Sequence, residues 1–193
     1  MRANPSHNGH LEVTGDSKFA DLYRRYQRHI HAYCARRTEP HLVDDAVAET
    51  FLVAWRKIEQ MPVGDQILPW LYGVARLELA HQWRHAARRR RLVERLQGGA
   101  RVDVPSADVY ILRSVEYDLV AKAASRLRRI DQEVLRLTLW EELSYVDAAT
   151  VLAISPEAVK QRLFRARQNL TREYRRLDLD RQRPPAARKG GAR

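Results

Sequence analysis

The densest set of side chains able to grip another molecule lies at residues 155–170, Ser-Pro-Glu-Ala-Val-Lys-Gln-Arg-Leu-Phe-Arg-Ala-Arg-Gln-Asn-Leu. Val159, Leu163, Ala166 and Leu170 recur at helical spacing and form one apolar stripe. That leaves Glu157, Ala158, Lys160, Gln161, Arg162 and Arg165 facing outward. Amide and guanidinium groups held this way can make paired hydrogen bonds to base edges and phosphates. A second set is the run Arg76, Arg84, Arg88, Arg89, Arg90, Arg91 and Arg95, a cationic rod that suits phosphate contacts or a solvated surface equally by type. Trp70, Tyr72 and Trp83 lie on or beside it, placed to fill a core or to stack unpaired bases. The third set is acidic. Asp44, Asp45 and Glu49 fall where, from Thr38 to Ala75, the cations are Arg56 and Lys57 alone. Asp45 and Glu49 are one helical turn apart, so they share a face and repel by a few tenths of a kcal/mol. Such a face fits either a basic protein partner or the positive end of a helix dipole.

Helices must carry all three sets. Ser144 and Asp147 have the spacing of a capping box, opening a short helix with Ala148, Ala149, Val151 and Leu152. Ser155 caps the next helix, and Pro156 occupies its first turn, where a missing N–H costs nothing. Two helices across a tight turn, the second polar and basic outside, read as a helix-turn-helix, although a plain helical hairpin shares the local pattern. Upstream, Phe19, Leu22, Tyr23, Tyr26, Ile30 and Tyr33 predict a helix from Lys18 to about Arg37, broken by Thr38-Glu39-Pro40. Val43, Val47, Phe51, Ala54, Trp55 and Ile58 predict a second from about His41 to Ile58, facing inward along that line. After a turn at 61–65, a third runs from near Pro69 to about Leu96, with Leu71, Val74, Ala75, Leu79 and Trp83 inward. Further helices are expected at about 109–125 and 131–139. The reading is therefore all-α: an unstructured N-terminus (1–16), a helical domain (17–96), a flexible linker (97–108), a second helical domain (109–177) and a basic unstructured tail (178–193).

Composition bounds the partner. The 193 residues carry a formal charge of +11, and a pI near 10.3 points to nucleic acid or an anionic membrane surface. Arg far outnumbers Lys, which suits bidentate contacts but is equally what a GC-rich genome produces. The lone Cys34, between apolar neighbours, forms no internal disulfide and reads as a small core residue. No stretch approaches a membrane span, and the N-terminus lacks an apolar signal core, so a cytoplasmic protein without membrane insertion is expected. The 7 His are scattered, and Asp44, Asp45 and Glu49 alone make a poor metal site. No metal, cofactor or catalytic group is expected, and the chain is not read as an enzyme.

The whole pattern resembles a sigma factor of bacterial RNA polymerase, of the minimal extracytoplasmic-function (group IV) kind. Asp45–Trp55, the Pro69–Arg76 stretch and the Arg-rich helix end resemble region 2 of that family. Asp131–Leu137, Leu143-Ser144-Tyr145 and Val159–Arg167 resemble region 4. The resemblance implies core RNA polymerase and promoter DNA as partners, and an anti-sigma factor as a further one. It implies that Asp45, Glu49 and Leu52 bind the polymerase clamp, and that the loop at about Glu59–Ile67 captures flipped minus-ten bases. Arg76, Arg84, Arg88, Arg89 and Arg91 would hold the adjoining phosphates. Ser155, Glu157, Ala158, Lys160, Gln161, Arg162 and Arg165 would read the minus-thirty-five element. Ala48, Leu77, His81, Ala153, Glu157 and Ala158 depart from the family's usual residues, so the promoter sequence does not carry over. A stand-alone helix-turn-helix regulator would explain the second domain but leave the first without a task. A basic membrane-surface protein would explain the charge but not the turn chemistry.

Overall fold

The computed structural model describes residues 9–97 and 115–182, which form two compact units divided between Ala107 and Asp108. Seven α-helices make up these residues, with no strand among them. The expected linker lies outside the described residues except for Gln97, and so does the chain before 9 and after 182.

The first unit packs three helices, α1 (Gly9–Ala35), α2 (Pro40–Arg56) and α3 (Ile67–Gln97). Its core is Leu22, Tyr26, Ile30, Tyr33 and Cys34 from α1, five residues of α2 from Val43 to Ala54, and Leu71, Tyr72, Val74, Ala75 and Leu79 from α3. Tyr33 stacks on Tyr72 with ring centroids 4.8 Å apart. Cys34 is fully buried, and that burial pushes its thiol up to about 12 against the smaller opposing pull of Arg37. It is an inert core residue, as its setting suggests. Glu39 is extended (φ −69°, ψ 149°), the conformation a following proline demands, and Pro40 then opens α2 without losing a hydrogen bond.

Four expectations for this unit need correction. α1 begins at Gly9 rather than near Lys18, inside the stretch read as unstructured. Once the apolar stripe has nucleated a helix, each added residue gains a hydrogen bond, and no proline interrupts it between Gly9 and Lys18. α2 ends at Arg56, two residues early, and the chain continues as a 3-10 turn at Ile58–Gln60 that Lys18 holds through Glu59 (Nζ to Oε1, 3.3 Å). Trp55, expected inward, is exposed, its ring 5.0 Å edge-on from Phe19. Tyr23 is exposed as well, 4.7 Å from Phe51, because a three-helix unit is too small to enclose every large ring it carries.

The second unit has four helices, α4 (Val115–Ser125), α5 (Arg129–Leu139), α6 (Tyr145–Leu152) and α7 (Pro156–Gln182). Ala123, Leu127, Val134, Leu135, Leu137, Ala148, Ala149, Val151, Leu152, Val159, Leu163 and Ala166 fill its core. The stripe along α7 ends differently from expectation. Leu170 is half-buried, and Leu177 two turns later is buried against the rest of the unit. α7 runs on to Gln182, so residues 178–182 are helical and not part of the unstructured tail expected from 178; Glu173 meets Arg126 just after α4 (3.4 Å) and Leu177 stays on the inward face.

Candidate nucleic-acid and protein interfaces

The helix-turn-helix is set by local side-chain chemistry. Ser144 Oγ accepts the Asp147 backbone N–H (3.1 Å) and donates to Asp147 Oδ2 (2.6 Å), which fixes the start of α6. Ser155 Oγ accepts the Ala158 N–H (3.1 Å) and fixes the start of α7. Between them Ala153 closes α6 in the left-handed region (φ 54°, ψ 46°), with Ile154 N–H reaching back to Ala149 O at 3.2 Å. A β-carbon is unwelcome there, costing about 1–2 kcal/mol. Glycine would remove that strain but gain unfolded-state entropy, so we expect Ala153→Gly to stabilise the second unit by about 0.5–1 kcal/mol. Chemical denaturation followed by circular dichroism checks it; a destabilised variant would mean that the turn is held by something other than its backbone.

On α7 the outward residues are spread over more than half a turn. Gln161 and Arg165 share one line, where Arg165 Nη2 donates to Gln161 Oε1 at 3.4 Å. Glu157 and Lys160 are exposed on one side of that line, while Arg162 and Ala158 are half-buried on the other. Ser155 is exposed, but its oxygen is already an acceptor in the cap, leaving its hydroxyl proton for any ligand. Gln168 and Arg172 extend the Gln161–Arg165 line by two further turns and are exposed. The sequence reading did not single them out, although their spacing was there to find.

In the first unit, Asp45, Glu49 and Leu52 lie on one face of α2, and all three are exposed. Asp44 stands beside them, with its Oδ1 3.8 Å from His31 Nε2. None of these acids is in the first turn of α2. A dipole explanation needs that turn, since the effect fades beyond it. The helix dipole therefore does not account for this acidic face.

α3 presents the opposite charge. Arg84, Arg88 and Arg91 are exposed along one strip, Arg89 is exposed about a third of a turn away, and Arg76 is half-buried on the strip's other flank. Trp70 and Trp83 are half-buried, between the two roles open to them, while Tyr72 is core. Between α2 and α3, Gly64 takes φ 62° in a loop where Val63 is exposed. Among the described residues no cluster of three or more His, Cys, Asp and Glu could hold a metal ion. No described helix is long and apolar enough to cross a membrane.

Comparison with known proteins agrees with this layout. Residues 22–89 match the family described as Sigma-70 region 2, and residues 117–170 match Sigma-70, region 4. The chain is 29% identical to the RNA polymerase sigma factor YlaC of Bacillus subtilis over 153 residues, 78% of this chain and 88% of the relative. It is 28% identical to the ECF RNA polymerase sigma factor SigM of the same organism over 160 residues, 81% of this chain and 94% of that one. Its fold is similar to that of the sigma factor RpoE from Bartonella quintana, solved with the anti-sigma factor NepR (TM-score 0.63, 22% identity, covering 81% of this chain and 96% of that chain). The two matched regions fall in order on the two helical units just described, and the chain belongs to the sigma-70 family, in its extracytoplasmic-function group.

Proposed function

We propose a division of labour within this sigma factor, which directs core RNA polymerase to promoters. The α2 face of Asp45, Glu49 and Leu52 holds the polymerase, the α3 strip holds DNA beside the melted minus-ten element, and the outward face of α7 reads the minus-thirty-five element. The loop around Glu59–Ile67 takes the bases flipped from the strand. The supporting observation is segregation: one three-helix unit carries exposed acids on α2 and exposed arginines on α3. Opposite charges this close would neutralise one another if their only task were solubility. One face for a protein and one for a polyanion accounts for the arrangement.

These tasks fall to two helical domains, the first containing α1 to α3 (Gly9–Gln97) and the second α4 to α7 (Val115–Gln182), each reaching past the 17–96 and 109–177 bounds at its outer end. The chain works by binding rather than by catalysis, in the cytoplasm where polymerase and promoter meet. An anti-sigma protein is a further partner, by analogy with the B. quintana sigma factor solved with NepR.

The arginine strip carries a direct test. Replacing Arg88, Arg89 and Arg91 with Gln should leave core binding unchanged and impair promoter opening. The slope of log K against log salt should become shallower by about one for each lost phosphate contact. An unaltered slope in filter-binding titrations across salt would return these arginines to solvated surface.

A further inference from the structure

Leu77 is an exposed aliphatic residue at the head of a polar, cationic strip. It is 54% exposed, on the same line of α3 as Trp70 and Gly73 before it and His81, Arg84 and Arg88 after it. Gly73, one turn earlier, has no side chain to stand over it, so the leucine methyls are open to whatever lies along the helix. The strip contains no carboxylate. The nearest, Glu78, is off the line and half-buried, with its Oε2 4.0 Å from His81 Nδ1. An apolar contact followed by exposed cations on one line suits a ligand with an apolar edge on a phosphate backbone.

We infer that Leu77 is a specificity-determining residue that reads the C5-methyl group of a thymine in the minus-ten element, with Arg84 and Arg88 holding the phosphates alongside. The inference rests on the reading of α3 as the DNA-facing helix. Leucine has no hydrogen-bonding group, so it cannot distinguish the polar atoms of base edges. Among those edges the thymine methyl is the apolar feature it can recognise. Almost half of Leu77 is already covered, which leaves less of it for a wedge driven between stacked bases than for an edge contact.

The test uses holoenzyme, the full chain with core polymerase, on fork-junction DNA from a promoter located by start-site mapping. Each thymine of the minus-ten element is replaced in turn by deoxyuridine, which removes only the methyl. Wild-type holoenzyme should lose about fourfold in affinity at one position, the factor given by burying one methyl (about 0.8 kcal/mol). Leu77→Ala should bind core normally and lose less than about 1.5-fold at that same position. Indifference of the wild type to every substitution would overturn the inference. So would a Leu77→Ala variant that keeps the full fourfold penalty, or one that loses core binding, since Leu77 would then face protein. Failure of wild-type holoenzyme to open the parent promoter would instead remove the function proposed above, and this inference with it.

Discussion

Reversing two charges on α2, Asp45→Arg with Glu49→Arg, should abolish binding to core polymerase while leaving the fold intact. Both carboxylates are exposed, one turn apart, and no buried group depends on them. If they meet a basic surface, each reversal turns an attraction into a like-charge contact, and such juxtapositions cost several kcal/mol. An affinity loss on the order of a thousandfold follows. The far-UV circular-dichroism spectrum should be unchanged, because exposed substitutions away from caps and core shift stability by little. Unchanged co-purification with core, alongside a normal spectrum, would remove α2 from the polymerase interface.

The second large effect is expected on α7. Arg162→Ala and Arg165→Ala should reduce transcription from promoters that depend on the upstream element, without weakening core binding. A bidentate arginine–guanine contact is worth roughly 1–3 kcal/mol, so losing one should lower occupancy between about five- and a hundredfold. The structure ranks the two. Arg165 stands in the open beside Gln161, whereas Arg162 is half-buried at the flank, so Arg165→Ala should have the larger effect. In vitro transcription from a promoter with an intact upstream element, and from one with that element scrambled, separates this from general damage. Equal activity of both variants and wild type would mean that the recognition face lies elsewhere on the unit.

The chemistry that starts the two helices of the helix-turn-helix was legible in the sequence. Ser144 and Ser155 each accept a backbone N–H three residues on, Asp147 accepts from the Ser144 hydroxyl, and Pro156 has no N–H to satisfy, so the chemistry leaves a fixed spacing. The inward stripes of α1 to α3 were legible for the same kind of reason, since period follows from helix geometry. What spacing cannot show is how far a helix outruns its stripe. α1 gains residues before Lys18 by propagation, and α7 is extended to Gln182 by contacts with α4 that are made only in the folded unit. Nor does spacing tell a buried ring from one at the edge of the core, as Trp55 shows. At the candidate interfaces, residue type and spacing found the charged groups but not their exposure. Spacing alone puts Arg84, Arg88 and Arg91 on one strip; that Arg76 is half-buried while they are exposed depends on how α3 packs. The left-handed Ala153 was visible only as an unusual residue for a turn, since a backbone angle is not written in one alanine.

The central claim is that this chain supplies promoter specificity to core RNA polymerase. Run-off transcription with purified core polymerase on a genomic fragment library, with start sites sequenced, tests it most directly. Adding the chain should yield discrete start sites, each preceded by a shared pair of upstream elements, and Asp45→Arg/Glu49→Arg should eliminate them. A chain that adds no start sites to core polymerase, yet binds duplex DNA tightly and specifically by itself, would contradict the account and identify a stand-alone helix-turn-helix regulator.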